Sequence, residues 1–263
     1  MIIALTRAIS PKISECELTH LEREAIDFDV AVRQHSEYER TLEALGCRVM
    51  RIEEAPQMPD SVFIEDTAVV LDELAIITRP GAPSRRGETA AVEVALAAYR
   101  PVHRIEAPAT LDGGDVLRVG RRLFAGVSGR TNDEALVQMR AIVDPFGYDV
   151  EGVPVTGCLH LKTAVTAIAS SMLLLNPEWV DRIFFEAFET IEVDPLEPSG
   201  ANALVVGDVV LYPAAFPRTA ARLRERGLRV ELLDASELAK AEGALTCCSV
   251  IVEESATRRP ASA

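Results

Sequence analysis

Two adjacent cysteines, Cys247 and Cys248, begin an apolar run in the stretch GALTCCSVIVEE, residues 243–254. A cysteine thiolate is a strong nucleophile and a metal ligand, so the pair could serve in catalysis, metal binding, a disulfide or simple packing. The five cysteines include no C-x-x-C pair, which argues against a zinc ribbon or a thioredoxin-type motif. Adjacent cysteines also form strained disulfides. A packed strand and a catalytic nucleophile remain as interpretations.

Side chains that could assist a thiol stand just before other short apolar runs of the chain. Including the cysteine, these polar residues are Glu65 and Asp66, Asp112 and Asp115, His160 and Lys162, Ser199 and Asn202, and Thr246 and Cys247. Each one alone is an ordinary turn former or packing residue. If the runs are related by rotation, however, the polar residues meet at one end of the fold. Carboxylates, an imidazole and a thiol at one mouth predict an active site.

The apolar runs recur in a unit of strand, strand, helix and strand. The strand pairs are expected at 66–80, 115–127, 163–175 and 203–213, the helices at 86–99, 131–143, 180–189 and 216–227, and the closing strands at 102–107, 150–155, 190–195 and 228–233. Each pair has a tight turn at its centre, such as Gly207-Asp208. An open mixed α/β sheet would explain the strands but not their regular recurrence.

The two ends of the chain supply a fifth copy of the unit. Residues 249–254 and 1–7 provide its strand pair, 31–46 its helix and 47–52 its closing strand. Pairing of the first and last strands would close the array and leave no free sheet edge. The sequence therefore predicts an α/β fold with residues 1–263 as a single domain, a five-bladed pseudo-symmetric α/β propeller of ββαβ units.

Charge and composition limit the classes of partner. The chain carries 41 acidic and 27 basic residues, a net charge of −14, which disfavours nucleic acid and favours a small cationic ligand. It has no apolar run of the length that a membrane span needs and no recognisable export signal, so we expect a cytoplasmic protein with reduced thiols. Gly113 and Gly114, in TLDGGDV, lack the rest of a phosphate-binding loop and are interpreted as room for backbone to approach a ligand.

Six segments resemble the dimethylargininases, which are the dimethylarginine dimethylaminohydrolases of the guanidine-modifying pentein superfamily. The segments are MPDSVFIEDTAVV (58–70), ITRPGAPSRRGE (77–88), TLDGGDV (110–116), GVSGRTN (126–132), LHLKT (159–163) and LTCCSV (245–250). Matching segments extend in the family's order from residue 7 to residue 252, nearly the whole chain. The fold that this resemblance implies is the five-fold propeller, which the repeated units indicate independently.

The resemblance also implies an activity and the residues for it. Methylated arginine would be hydrolysed to citrulline and a methylamine, with Cys247 as nucleophile, His160 as general acid and base, and Asp112 orienting the imidazole. No metal or other cofactor is implied. The residues that match substrate-holding positions are Leu18, Asp60, Glu65, Asp66, Arg85 and Arg130, with Ala241 at a backbone contact. Neighbouring side chains of a strand point to opposite faces, so Cys248 would pack into the sheet layer.

Some expectations stay open at this point. Glu242 stands where some relatives have Asp, and Cys248 is variable among relatives. The residue at position 242 leaves discrimination between arginine and its methylated forms undecided.

Residues 10–22 interrupt the repeat and are expected to form a lid over the substrate. Other pentein hydrolases act on arginine itself, and a non-catalytic pentein binds the ribosome, although the net charge and the thiol–imidazole–carboxylate set disfavour the latter. A homodimer is compatible with the sequence.

Overall fold

The structure is a computed structural model that describes residues 1–253, and its strands form five three-stranded sheets. In every sheet the middle strand runs antiparallel to the first strand and parallel to the closing strand. From first to closing strand, the sheets are β15 (Val250–Glu253), β1 (Ile2–Thr6) and β2 (Cys47–Arg51); β3 (Ala68–Val70), β4 (Ala75–Ile77) and β5 (Val102–Arg104); β6 (Val116–Val119), β7 (Arg122–Val127) and β8 (Asp149–Pro154); β9 (Val165–Ala169), β10 (Met172–Leu175) and β11 (Glu189–Glu192); β12 (Leu204–Val206), β13 (Val209–Pro213) and β14 (Arg229–Leu233). The predicted five-fold repeat of first, middle and closing strands is thus confirmed.

The sheet that contains both ends of the described chain closes the ring. β1 pairs antiparallel with β15, with Ile2 opposite Glu253 and Leu5 opposite Val250, and it pairs parallel with β2. The predicted pairing of the terminal strands is therefore confirmed, apart from residue 254, which lies outside the described residues. The assignment of 1–263 to one domain stays a prediction for the same reason.

In the described chain, four longer helices connect middle to closing strands, and two single-turn helices lie elsewhere. The longer helices are α1 (Phe28–Ala44), α2 (Thr89–Ala97), α3 (Asp133–Val143) and α5 (Pro217–Glu225), and the single-turn helices are α4 (Leu161–Ala164), before β9, and α6 (Ser236–Ala239), after β14. Asp27 caps α1 by accepting the Val30 backbone N–H at 3.0 Å, and Asn132 caps α3 by accepting that of Ala135 at 3.1 Å. These caps satisfy backbone donors that a helix leaves unpaired at its first turn.

The helix predicted at 180–189 is wrong. This segment contains only a 3₁₀ turn, Arg182–Phe185, before β11 begins at Glu189. Residues 176–188 connect β10 to β11, and this 3₁₀ turn is the helical element that the structure describes among them. The ring of Phe185 packs on Phe124 with centroids 5.0 Å apart, so the segment is held by side-chain burial.

The first strands of the five sheets surround the axis of the ring. They border an axial cavity of about 290 Å³ that is lined by residues of all five strands. Apolar side chains between neighbouring sheets and beneath the helices form the core; Leu5, Leu123, Leu174 and Leu211 are fully buried examples. Among residues 1–253, no helix is long and apolar enough to cross a membrane. The turns that precede the first strands gather at one end of this axis, where the site lies.

Candidate active site

His160 and Asp112 form a buried imidazole–carboxylate pair. His160 Nε2 lies 3.0 Å from Asp112 Oδ2, and the two residues are 4% and 0% exposed. Asp112 Oδ1 accepts the Gly81 backbone N–H at 2.8 Å, and the Asp112 backbone N–H donates to Thr131 Oγ1 at 3.1 Å. The carboxylate is therefore fixed from two sides, and it fixes one ring nitrogen in turn. This is the arrangement that orients a general acid–base imidazole.

Asp115 holds the chain segments on which that pair sits. Its Oδ1 accepts a hydrogen bond at 2.9 Å from the backbone N–H of Leu161, the residue that follows His160. Its Oδ2 accepts hydrogen bonds from the hydroxyl groups of Ser128 and Thr131, at 2.7 Å each. Asp115 is fully buried, and burial raises the pKa of its carboxyl group. The second carboxylate of the DGGD segment thus positions the backbone of the neighbouring unit.

Asp66 lies on the other side of the imidazole and is bound to Arg85. Asp66 Oδ1 is 3.8 Å from His160 Nδ1 and accepts the Gly114 backbone N–H at 2.9 Å, and Asp66 Oδ2 accepts from Arg85 Nη1 at 2.6 Å. Arg85 also donates to Glu88 Oε2 at 2.9 Å, so all three of its guanidinium nitrogens have protein partners. Arg85 is therefore held inside the site wall by carboxylates.

These charges set the protonation state of His160. Burial alone lowers the pKa of the imidazole, but the charge of Asp66, the hydrogen bond to Asp112 and the charge of Asp115 together raise it to about 9. Burial raises the pKa of Asp66, but the charges of His160 and Arg85 outweigh it and hold the pKa at about 2. Near neutral pH the site therefore contains an imidazolium between ionised carboxylates, which is an acid ready to donate a proton.

Cys247 and Cys248 lie in a 3₁₀ turn, Thr246–Cys248, just before β15, and not in the strand itself as expected. The turn still separates the two thiols. Cys247 is half-buried and lines the pocket described below, whereas Cys248 is fully buried and contacts the Ala244 carbonyl oxygen at 3.5 Å. Cys247 Sγ accepts the Ala244 backbone N–H at 3.4 Å. One thiol faces the site and the other faces the core.

The Cys247 thiol is neutral in this environment. Burial raises its pKa, and the charges of Glu65 and Asp66 raise it further, while Lys162 opposes them. Glu65 accepts from Lys162 Nζ at 2.5 Å and from Thr246 Oγ1 at 2.8 Å, at the boundary with the axial cavity. A cation bound beside the sulfur would offset the two carboxylates and favour the thiolate.

A small closed pocket lies above these groups. Its volume is about 20 Å³, and the residues that line it are Glu17, Asp60, Phe63, Asp66, Arg85, Arg130, Leu159, His160, Ala241, Glu242 and Cys247. Seven residues expected in the site are in this lining. Asp112 and Glu65 stand behind it, and Leu18 packs half-buried against the core beside it. The structure thus brings the expected residues to one place, although not all of them to the pocket surface.

Two opposite charges occupy one side of the pocket. Arg130 is 9% exposed; its Nη2 donates to Thr19 Oγ1 at 3.1 Å, and its buried Nη1 has no hydrogen-bond partner within the described chain. Asp60 is buried and accepts the Glu17 backbone N–H at 3.2 Å with both of its oxygens. Arg130 Nη1 lies 3.9 Å from Asp112 Oδ2, an ion pair beyond hydrogen-bond distance. A guanidinium N–H that is free to donate and a carboxylate in one pocket suit the two charges of an amino-acid zwitterion.

Two sequence expectations need correction. Gly113 and Gly114 do not make room for a ligand, because a Cβ at Gly114 would lie 2.7 Å from both Asp66 Oδ1 and His160 Nδ1, and one at Gly113 would collide with the Glu65 carbonyl oxygen. The glycines let the site's own side chains approach the backbone. Ser199 is exposed and enters none of the site's described hydrogen bonds, whereas Asn202 binds Thr246 Oγ1 at 2.9 Å.

Asp66, Asp112 and His160 could in principle hold a metal, since one ligand atom from each lies within 4.8 Å of the others. Their hydrogen bonds argue for a different role. Asp66 is paired with Arg85 and Asp112 with His160, so the acceptor oxygens are already committed and a guanidinium adds positive charge to the cluster. The donor set therefore fits an ion-paired acid–base group better than a cation site.

Glu242 lines the pocket, but its carboxylate accepts hydrogen bonds from the backbone amides of residues 19–21. From here on, the name lid refers to residues 17–21, the part of the expected segment 10–22 that contacts the pocket wall. Sequence reasoning left the orientation of Glu242 open, and it missed Glu88, Phe63 and Leu159 altogether. Phe63 stands two positions before Glu65, and Leu159 stands directly before His160. This closeness in sequence to expected site residues was the only signal that could have identified them. The Glu88 contact to Arg85 spans three residues and resembles an ordinary surface pair in sequence.

Comparison with known proteins places the chain in a family. No family model matches it. It is 41% identical to an N(G),N(G)-dimethylarginine dimethylaminohydrolase of Streptomyces coelicolor over 95% of this chain and 97% of that protein, and 38% identical to the one of Pseudomonas aeruginosa over 85% and 89%. A solved structure of the Pseudomonas aeruginosa enzyme, a cysteine-to-serine mutant complexed with citrulline, superposes with a TM-score of 0.91 at 35% identity, covering 95% of this chain and 98% of that one. The chain belongs to the dimethylarginine dimethylaminohydrolase family.

Proposed function

We propose that this protein hydrolyses N-methylated arginine to citrulline and a methylamine, with Cys247 as the nucleophile. The observation that carries the proposal is the meeting of a half-buried thiol, an imidazolium held by Asp112, and the carboxylate of Asp66 in one closed pocket. Family membership supports the same reaction, since relatives with this name cover nearly the whole chain.

The pocket is complementary to arginine along its length. Asp66 provides a buried negative charge for the guanidinium. Arg130 Nη1, which has no hydrogen-bond partner within the described chain, provides a donor for the α-carboxylate. Asp60 and the Ala241 backbone lie on the same wall and suit the α-ammonium group. Arg85 contributes to binding indirectly, because its ion pair with Asp66 keeps that carboxylate ionised. Glu65 forms an ion pair with Lys162 behind Cys247 and neutralises its charge. Leu18 covers the substrate from the lid.

The reaction follows from the protonation states. A bound guanidinium lowers the pKa of the Cys247 thiol, which loses its proton to solvent water because His160 is already protonated. The thiolate then attacks the central carbon and forms a tetrahedral intermediate. The imidazolium of His160 donates its proton to the departing methylamine as the C–N bond breaks, which leaves a thiouronium on the cysteine. Neutral His160 then takes a proton from water, the hydroxide attacks the thiouronium carbon, and the thiolate leaves to give citrulline.

Methylated arginine is expected to react far better than arginine. The Glu242 oxygens are occupied by lid amides, so they do not offer acceptors to the alkylated nitrogen. An unmethylated terminal nitrogen would bring N–H donors that the pocket leaves unpaired, at a cost on the order of 1–3 kcal/mol each. A methyl group carries no such donor.

The test compares asymmetric dimethylarginine, monomethylarginine and arginine as substrates, with citrulline and the released amine measured together. Cys247→Ser should lower turnover by about 10³-fold or more while circular dichroism stays unchanged, because a serine hydroxyl is a far weaker nucleophile near neutral pH. Equal specificity constants for arginine and its methylated forms would refute the substrate preference. Full activity of Cys247→Ser would refute the proposed nucleophile.

A smaller set of expectations completes the proposal. The acidic surface disfavours nucleic acid as a partner, and the active site consists of side chains from one chain, so a homodimer is compatible with activity but is not required for it. The substrate is a small zwitterion with a cationic side chain, for which the protein's net negative charge provides long-range attraction.

A further inference from the structure

Glu242 has an unusual backbone conformation. Its φ is +56°, the one positive value among the non-glycine residues of the described chain. The residue follows α6 and is flanked by Ala241 and Gly243, both near the pocket wall. A glutamate in the left-handed region is conformationally strained, so surrounding contacts must hold it there.

The contacts that hold Glu242 come from the lid. Its Oε1 accepts three successive backbone N–H groups, those of Thr19 at 3.0 Å, His20 at 2.5 Å and Leu21 at 2.6 Å, and its Oε2 accepts from Thr19 at 3.1 Å. Charge-assisted hydrogen bonds of this kind are stronger than neutral ones. A single side chain therefore fixes three consecutive peptide units that lie at the other end of the sequence.

The lid has little else to hold it near these residues. Thr19, His20 and Leu21 are exposed, Leu21 by 51%, so burial of apolar surface contributes little there. The further polar contacts at the lid are Asp60 with the Glu17 backbone, Ser84 with the Glu17 carboxylate and Arg130 with the Thr19 hydroxyl. Among these, Asp60 and Arg130 are groups to which the proposed function gives substrate contacts.

The closed lid leaves no space for a substrate to pass. The pocket of about 20 Å³ holds roughly one water molecule, whereas ligand pockets usually measure at least a few hundred Å³. An amino acid of the size of arginine can enter and leave only if the lid moves away from Glu242. Opening of the lid breaks its hydrogen bonds to Glu242, and closure re-forms them.

We propose that Glu242 is the latch of the lid, a positioning residue that controls substrate admission and retention without taking part in the chemistry. The proposal rests on the proposed function for its substrate, but the latch itself is a property of the free protein. The carboxylate has enough acceptor capacity for three amides, and the left-handed backbone aims it away from the reacting groups and at the lid. A residue without this acceptor would leave the lid with the packing of Leu18 and the described polar contacts to Asp60, Ser84 and Arg130.

Two variants separate the latch from the backbone strain. Glu242→Gly removes the acceptor and suits the left-handed conformation, so the fold is not expected to lose stability. Glu242→Gln keeps one acceptor oxygen but loses the charge. Glu22→Gln is the matched control, since Glu22 is an exposed acid just beyond the lid with no described hydrogen bond to it.

Hydrogen exchange of the free full-length protein provides the first measurement. Amides 19–21 should exchange roughly tenfold faster or more in Glu242→Gly, at an intermediate rate in Glu242→Gln and at the wild-type rate in Glu22→Gln, with the strands of the ring unchanged. Wild-type exchange at 19–21 in Glu242→Gly would overturn the latch. Faster exchange throughout the ring would overturn it too, because Glu242 would then stabilise the fold generally.

Steady-state kinetics provide the second measurement. With dimethylarginine as substrate, Glu242→Gly should raise KM severalfold while kcat changes by less than the KM does, since His160, Asp112 and Cys247 are untouched. A fall in kcat with KM unchanged would overturn the positioning role. Absence of turnover in the wild type would refute the proposed function, while the exchange experiment would still decide on the latch.

Discussion

The floor and the lid of the pocket are built in opposite ways. The floor, formed by Asp66, Asp112 and His160, consists of side chains that are at most 4% exposed and are bound to side chains or backbone of three different units. The lid is held mainly by backbone amides that donate to carboxylates, and its Leu21 is 51% exposed. Buried ion pairs with several partners resist displacement, whereas exposed amides can exchange a carboxylate for water at low cost.

This difference separates two tasks of an enzyme. Proton transfer requires an imidazole and a carboxylate whose positions do not change, which the buried floor provides. Admission of substrate requires a part that opens, which the lid provides. Substitutions in the floor should therefore act on kcat and on its pH dependence, and substitutions at the lid or at the wall that contacts it should act on KM.

The largest effect is expected for Asp112→Asn, which damages the floor alone. Loss of the carboxylate charge should lower kcat by roughly 10²–10⁴-fold, because the imidazole loses its orientation and its imidazolium is destabilised. The pKa of His160, about 9 in the wild type, should fall. Protonated His160 is the required acid, so activity is lost as pH rises through that pKa, and the alkaline limb of kcat/KM should move to lower pH.

Initial rates measured from neutral to alkaline pH test this expectation. Asp72→Asn is the matched control, since Asp72 pairs with Arg118 away from the pocket and its substitution should leave the profile unchanged. An alkaline limb that stays in place in Asp112→Asn would show that His160 does not set it. If Asp112→Asn lowered kcat and raised KM by the same factor, the expectation that floor substitutions act on kcat alone would be wrong.

A smaller effect is expected for Arg130→Lys, since Arg130 contacts the lid and is the proposed partner of the substrate α-carboxylate. A lysine keeps the charge but cannot offer the paired N–H groups, so KM should rise about tenfold with little change in kcat. Steady-state kinetics with dimethylarginine measure both constants, with Arg118→Lys as the control. A decrease in kcat with KM unchanged would contradict the binding role of Arg130 and indicate a role in the chemical step.

The smallest effect is expected for Cys248→Ser. The Cys248 thiol is fully buried beneath the floor and bonds only to the Ala244 carbonyl oxygen, so kcat should stay within about threefold of the wild type. Burying a hydroxyl there should lower the free energy of unfolding by about 1 kcal/mol, measurable by denaturant titration. A loss of turnover as large as that of Cys247→Ser would reverse the assignment within the pair.

The sequence predicted the floor better than the lid, for a physical reason. The repeated units imply that residues before each first strand meet, so the repeat alone places Asp66, Asp112, His160 and Cys247 together. The contacts of Glu242 with the lid have no such signature, because a carboxylate that binds backbone amides places no demand on the residue types that donate. The helix predicted at 180–189 is wrong because its apolar side chains, such as Phe185, pack on the neighbouring sheet from a 3₁₀ turn, and apolar spacing over so short a segment does not separate this from an α-helix.

Closure of the ring by β15 and β1 has a consequence for biosynthesis. Cys247, the proposed nucleophile, and β15, the strand that completes the fifth sheet, are made after the other strands of the ring. In the ring, β15 pairs with β1, the strand that left the ribosome first. A nascent chain that has not yet reached residue 250 lacks both the closed ring and a positioned thiol. Catalytic competence therefore requires synthesis through β15, and chains that stop before it carry no working site.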